Sequence, residues 1–172
     1  MMKAKFFNLR NLIPVIITGL ILSSCSKDST TTNDLIGTWN TQSSTFTATI
    51  NGKTLTQYFM DDMGLTADEA QLAIGMFNTQ MQQTFTGTIQ MKSDNTYTST
   101  MGGTTDTGTW SLSSDGKTIT LDAGTEGSTI LDVIELTSSK LHVSGTETTT
   151  DDLNADGIQD TMVVTIDLTL TK

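Results

Sequence analysis

The chain has little to build chemistry from. Its 172 residues hold one cysteine, one proline, one histidine and a single arginine, Arg10. A zinc site wants several His or Cys ligands, and this chain does not have them. His142 sits between Leu141 and Val143, on the opposite side of an alternating stretch, so it reads as an outward residue. The many Ser and Thr residues show no paired base in a recognisable pattern. Acid pairs such as Asp61-Asp62 and Asp151-Asp152 are adjacent, and neighbours on a strand face opposite ways. No enzyme is expected. Cations are also scarce, with 9 Lys and Arg against 19 Asp and Glu. Phosphate backbones are gripped by Lys and Arg, so nucleic acid is excluded as a partner.

Long apolar runs are missing as well. The longest, Leu12 to Leu22, is shorter than the roughly 20 residues that cross a bilayer. Lys3, Lys5 and Arg10 precede it and small residues follow it. A basic start, a short apolar middle and small residues before a cut point describe a secretory signal peptide, placed at residues 1–24. The cut point Leu22-Ser23-Ser24-Cys25 resembles the lipobox of bacterial lipoproteins. That resemblance implies lipidation of Cys25, which becomes the first mature residue and anchors the chain in the outer membrane through acyl chains such as palmitate. Each buried methylene adds about 0.8 kcal/mol, so two or more chains hold firmly without a spanning helix. Ser26-Lys27-Asp28 resembles a weak surface-export tag, which leaves the periplasmic and cell-surface sides both open. Asp28-Ser29-Thr30 and Asp160-Thr161-Met162 resemble bacterial O-glycosylation acceptors. Removing the leader leaves a chain still more acidic, with no arginine and no proline.

Residues 25–33 hold the lipidated Cys and a flexible polar tether, and residues 34–172 form one domain. Within it, alternation is the dominant pattern. Phe85, Gly87, Ile89 and Met91 share one face, then Tyr97, Ser99 and Met101, then Gly108, Trp110 and Leu112. Ile119, Leu121 and Ala123 follow the Asp115-Gly116 turn, and Leu141, Val143 and Gly145 come next. Met162 to Leu170 is the longest such run. Each pattern buries one face and wets the other. Asn51-Gly52 predicts a hairpin between a strand near 36–50 and one near 54–60. Thr66-Ala67-Asp68-Glu69 is a capping box ahead of Leu72, Met76, Phe77 and Met81, which predicts one helix near 66–82. The fold class is all-β: an antiparallel up-and-down β-barrel of about eight or nine strands with that helix beside it, since closure removes exposed edges.

Leu35-Ile36-Gly37-Thr38-Trp39 resembles the Gly-x-Trp signature of the first lipocalin strand. The stretch from Ser93 to Leu121 resembles the lipocalin-like domain of small bacterial lipoproteins, with its aromatic strand, Gly-x-Trp strand and Asp-Gly turn. The resemblance implies a barrel around a cavity for a small apolar or amphipathic ligand. Trp39, Phe85, Tyr97, Met101, Trp110 and Leu112 are its candidate lining, and the same six residues equally suit a filled core. A lipocalin also packs a late basic residue on its first Trp, a place that Lys140 or Lys172 could take.

The stretch from Asp152 to Asp160 reads D-x-N-x-D-G-x-x-D and resembles a calcium loop. Calcium takes six to eight oxygens. Asp152, Asn154, Asp156, the Ile158 carbonyl and Asp160 are the candidate ligands. Val163 stands where an EF-hand has its bidentate Glu, which implies weak binding. An acidic hairpin tip without a metal is the plainer reading. The competing functional class is thus a calcium-stabilised structural or interaction module with a filled core and no small ligand. Oligomeric state is not legible.

Overall fold

The computed structural model describes residues 32–125 and 127–172. The signal peptide, Cys25 and the tether up to residue 31 lie outside the described residues.

A short helix α1, Thr32–Leu35, leads into the long strand β1, Gly37–Ile50. The Asn51-Gly52 turn follows, with both residues at positive φ, the backbone that suits a tight hairpin. The returning strand β2 is only Lys53–Thr54. The strand expected near 54–60 is instead a helix, α2, Leu55–Asp61. Thr54 and Gln57 explain the difference. The Thr54 hydroxyl accepts from the Gln57 N–H, and the Gln57 side chain accepts from the Thr54 N–H. This second capping box starts a helix where β-rich composition suggests a strand. The predicted helix is present as α3, Ala67–Thr84, capped reciprocally by Thr66 and Glu69.

Seven further strands follow: β3 Gly87–Met91, β4 Thr96–Met101, β5 Thr104–Leu112, β6 Thr118–Leu121, β7 Thr129–Leu136, β8 Lys140–Asp151 and β9 Asp160–Thr171. Each pairs antiparallel with the next in sequence. β9 then pairs back onto β1, from Asn40 opposite Thr171 to Ile50 opposite Met162. β1 and β3–β9 therefore close an eight-stranded up-and-down barrel, with β2 as an added strand.

β1 changes partner partway along. Gly37 to Asn40 pair with β3, whereas Asn40 to Ile50 pair with β9, across an irregularity between Thr41 and Ser43. The Thr41 hydroxyl holds the parting point: it donates to the Phe85 carbonyl at 2.9 Å and accepts from the Gly87 N–H. Beyond it, β1, β9 and β8 run on past their shorter neighbours. The helices α2 and α3 cover this overhang.

Two apolar clusters result. The barrel interior holds Leu35, Trp39, Met91, Tyr97, Trp110, Ile119 and the inward residues of β8 and β9. Under the helices, Ile50, Leu55, Tyr58, Met81, Met162 and Val164 form the second cluster. Phe85 packs against both. No helix among the described residues is long and apolar enough to cross a membrane.

Candidate functional site

The barrel interior comes first, because the sequence points there. β1 carries Trp39 inward, and its indole N–H donates to the Leu35 carbonyl at 2.8 Å, which pins α1 over one end of the barrel. β5 carries Trp110 inward, and its indole N–H is shared between the Lys92 and Thr96 carbonyls. Tyr97 on β4 is buried beside them. Phe85, Met101 and Leu112 are partly buried against the same cluster. The structure thus gathers all six candidate lining residues in one core, where they pack against one another and against Ile119, Leu141, Val143 and Leu168. Two shallow depressions of the described surface lie outside the barrel. One is on the outer face of α3, and the other is where α3 meets the turn between β4 and β5.

The closed end has a built polar lid. Lys172 stacks on the Trp39 ring with its Nζ 4.4 Å from the centroid, and the same Nζ donates to the Asp34 carbonyl. Burial lowers the Lys172 pKa. Gly37 makes room for it: a Cβ there would stand 2.8 Å from the Lys172 Cε, and its φ of +143° suits only glycine. Of the two lysines considered for this position, Lys172 takes it. Lys140 pairs with Glu135 on the surface at 2.7 Å.

Two Tyr–Asp pairs, neither read from the sequence, tie the structure together. In the first, the Tyr97 hydroxyl donates to Asp122 at 2.7 Å, and the second Asp122 oxygen accepts from the Thr109 N–H at 2.8 Å. Gly108 admits this carboxylate, since a Cβ there would lie 2.0 Å from it. In the second, Asp160 is 5% exposed. It accepts from the Tyr58 hydroxyl and the Asn51 amide, each at 2.6 Å, and from the Leu153 N–H at 3.1 Å. The Tyr58 bond, opposed by burial, holds the Asp160 carboxyl below its usual pKa. Burial and the Asp160 carboxylate together push the Tyr58 hydroxyl well up.

That placement decides how the acidic loop is used. Both Asp160 oxygens serve helix α2, the β1–β2 turn and the loop backbone. The rest of the loop folds on itself. Asp152 accepts from the N–H groups of Asp156 and Gly157, Asn154 accepts from Asp156, and Asp156 accepts from Ile158 at 2.7 Å. Side-chain oxygens of Asp152, Asn154 and Asp156 therefore accept the N–H groups of one tight turn around Gly157, at φ +88°. Ile158 at the tip is exposed. Among the described residues, no three His, Cys, Asp or Glu side chains gather as a metal-ion site.

His142 is half-buried and faces Asp167 across β8 and β9, with 3.7 Å between Nε2 and Oδ1. Compared with protein-family models, curated proteins and solved structures, the chain matches none.

Proposed function

We propose that this chain is a lipid-anchored lipoprotein of the bacterial outer membrane, held through Cys25, whose lipocalin-like barrel works through its outer surface. The observation that carries the proposal is the gathering of Trp39, Phe85, Tyr97, Met101, Trp110 and Leu112 in one apolar cluster. An eight-stranded barrel has room either for side chains or for one small ligand, and the clustering of these six side chains supports the first. The Gly37-Thr38-Trp39 start of β1 with Lys172 on the Trp ring supports the lipocalin-like relation. The run Leu22-Ser23-Ser24-Cys25 supports the anchor.

The test has two arms. A solvent-polarity probe added to the folded protein should gain no fluorescence, and extraction should release no co-purified apolar compound. A saturable probe signal, lost when Trp110 is replaced, would return the barrel to the role of carrier. Mass spectrometry of the mature N-terminus should find Cys25 acylated, and an unmodified Cys25 would remove the anchor.

A second reading adds a calcium ion at the β8–β9 loop. Its support is the spacing of Asp152, Asn154, Asp156 and Asp160 along the loop; in the structure, oxygens of Asp152 and Asn154 accept N–H groups of their own turn. A rise in Tm with millimolar calcium, lost in Asp156→Ala, would support it. An unchanged Tm would remove it.

A further inference from the structure

The lysines of this chain gather at one end of the barrel. The described residues hold five of them, Lys53, Lys92, Lys117, Lys140 and Lys172. Strand order sorts them. In an up-and-down barrel the start of β1 shares an end with the β3–β4, β5–β6 and β7–β8 turns and with the finish of β9. Lys92 follows β3, Lys117 precedes β6, Lys140 opens β8 and Lys172 follows β9. Four of the five therefore stand at the end that α1 covers.

The opposite end is acidic. Its one described lysine is Lys53, beside the Asn51-Gly52 turn. Around it stand Asp61 and Asp62 at the finish of α2, Asp68 and Glu69 at the start of α3, and Asp151, Asp152, Asp156 and Asp160 about the β8–β9 loop. The α1 end has one acid for each lysine: Asp34, Asp94, Asp115 and Glu135. Two of these acids are engaged by their own turns. Asp94 accepts from the Thr96 N–H and hydroxyl, at 3.0 and 2.6 Å. Asp115 accepts from the Ser113 hydroxyl and the Lys117 N–H, at 2.6 and 3.1 Å. A lysine stem, by contrast, can carry its ammonium outward.

Chain length decides which end meets a membrane. Six residues separate Cys25 from Thr32, where α1 begins. Fully extended, that stretch reaches at most ~25 Å. β1 has 14 residues and runs ~45 Å. At the tilt of barrel strands it still climbs ~35 Å along the axis. An anchor at Cys25 therefore cannot stand the barrel on its acidic end. Charges more than ~8 Å from the surface are largely screened at physiological salt, so the end that faces lipid sets the electrostatics of the encounter. Lysines near an anionic bilayer are drawn to it. Lys27, two residues after Cys25, adds a further cation beside the anchor.

We infer that the α1-covered end of the barrel is a docking surface for anionic phospholipid headgroups, with Lys92, Lys117 and Lys140 on the phosphates and the acidic end turned away. Lys172 stays on the Trp39 ring. The inference deepens the proposed anchoring through Cys25 and rests on it.

Lys53 and Lys140 give the test its own control. Both stand in surface ion pairs, Lys53 with Asp62 and Lys140 with Glu135, and their side chains are 38% and 43% exposed. They lie at opposite ends of the barrel. The cell-made chain is reconstituted into vesicles of phosphatidylcholine alone, and of phosphatidylcholine in equal parts with phosphatidylglycerol. A membrane-impermeant acetylating reagent is added, and mass spectrometry follows each lysine. Lys117 and Lys140 should react several-fold more slowly on the anionic vesicles, with Lys53 unchanged. High salt should remove the difference. Lys117→Glu together with Lys140→Glu should return Lys92 to the rate it has on phosphatidylcholine. Equal rates on the two kinds of vesicle overturn the proposal. So does equal slowing of Lys53 and Lys140, or slowing of Lys53 alone. The same spectra read Cys25. If the cell leaves that thiol unmodified, it is coupled to a maleimide lipid and the rates are measured on the coupled chain, so a failed anchor and a failed docking are told apart.

Discussion

Replacing Asp160 by alanine removes one acceptor from three donors at once. The Tyr58 hydroxyl is the costly one. Tyr58 is 1% exposed, so its O–H would be left buried and unpaired. Such an orphan costs about 1–3 kcal/mol. Asn51 is exposed and Leu153 half-buried, so those two donors can turn to water and lose only the difference between a charge-assisted bond and a hydrated one. The sum for Asp160→Ala is about 2–4 kcal/mol. For a chain of this size that lowers Tm by about 5–15 °C. Tyr58→Phe removes the hydroxyl donor and leaves the carboxylate its other two partners, at a cost of about 1 kcal/mol. The two changes should couple in a double-mutant cycle, because each removes the same bond.

The pH dependence follows from the same geometry. The folded Asp160 carboxyl lies below its ordinary value, first because of the Tyr58 hydroxyl and then because of the Asn51 amide, with burial opposing. A depressed folded pKa gives stability that is present above the unfolded pKa and lost as pH falls through the folded one. Tm should therefore drop through the acid range below about pH 4, and Asp160→Asn should flatten that drop. Differential scanning calorimetry across pH reads both effects. If Asp160→Ala unfolds within about 0.5 kcal/mol of the parent, the range of a neutral surface change, the reasoning fails.

Other outcomes are equally specific. Gly37→Ala should destabilise the fold by about 1–3 kcal/mol in chemical denaturation, through both backbone strain and the clash with Lys172; adding Lys172→Ala should relieve only the clash. Ile119→Ala, at a fully buried site, should cost about 2–5 kcal/mol by the same measurement. Glu147 has a pKa raised by burial, with the Thr129 hydroxyl opposing. Its charged form disfavours folding as pH rises through the folded pKa, so Glu147→Gln should raise Tm at pH 7, with the gain vanishing in acid.

What the sequence made legible is what depends on near neighbours. Alternation from Phe85 onward placed Met91, Tyr97, Trp110, Ile119, Leu141 and Val143 inside, where they are. Thr66 and Glu69 announced α3, and Asn51-Gly52 announced the first hairpin. The helix α2 was hidden because Thr54, Leu55, Thr56 and Tyr58 also suit a strand; the signal that overrides them is Gln57, three residues after Thr54. Asp160 was obscured by its own loop. Its spacing from Asp152 suggests a ligand, yet its partners Tyr58 and Asn51 are 102 and 109 residues away. No local pattern records bonds of that span. Lys172 could be named only as one of two lysines, because which of them reaches Trp39 depends on where β9 ends against β1.

The unequal strand lengths explain why this barrel carries helices at all. β1, β8 and β9 have 14, 12 and 12 residues, whereas β3 has 5 and β6 has 4. A barrel closed on such strands leaves an overhang on one side. The inner face of that overhang, with Ile50, Met162 and Val164, would stand in water. Burying apolar surface is the main drive of folding, so the overhang must be covered. The α2–α3 hairpin does this with Leu55, Tyr58 and Met81. Covering the overhang uses only one side of α3. A helix with no further task would present charged, strongly helix-forming residues on its other side. In a chain this acidic, the outer side of α3 carries Leu72, Gly75, Met76 and Thr79 instead. The fold accounts for the helix and for its inner face.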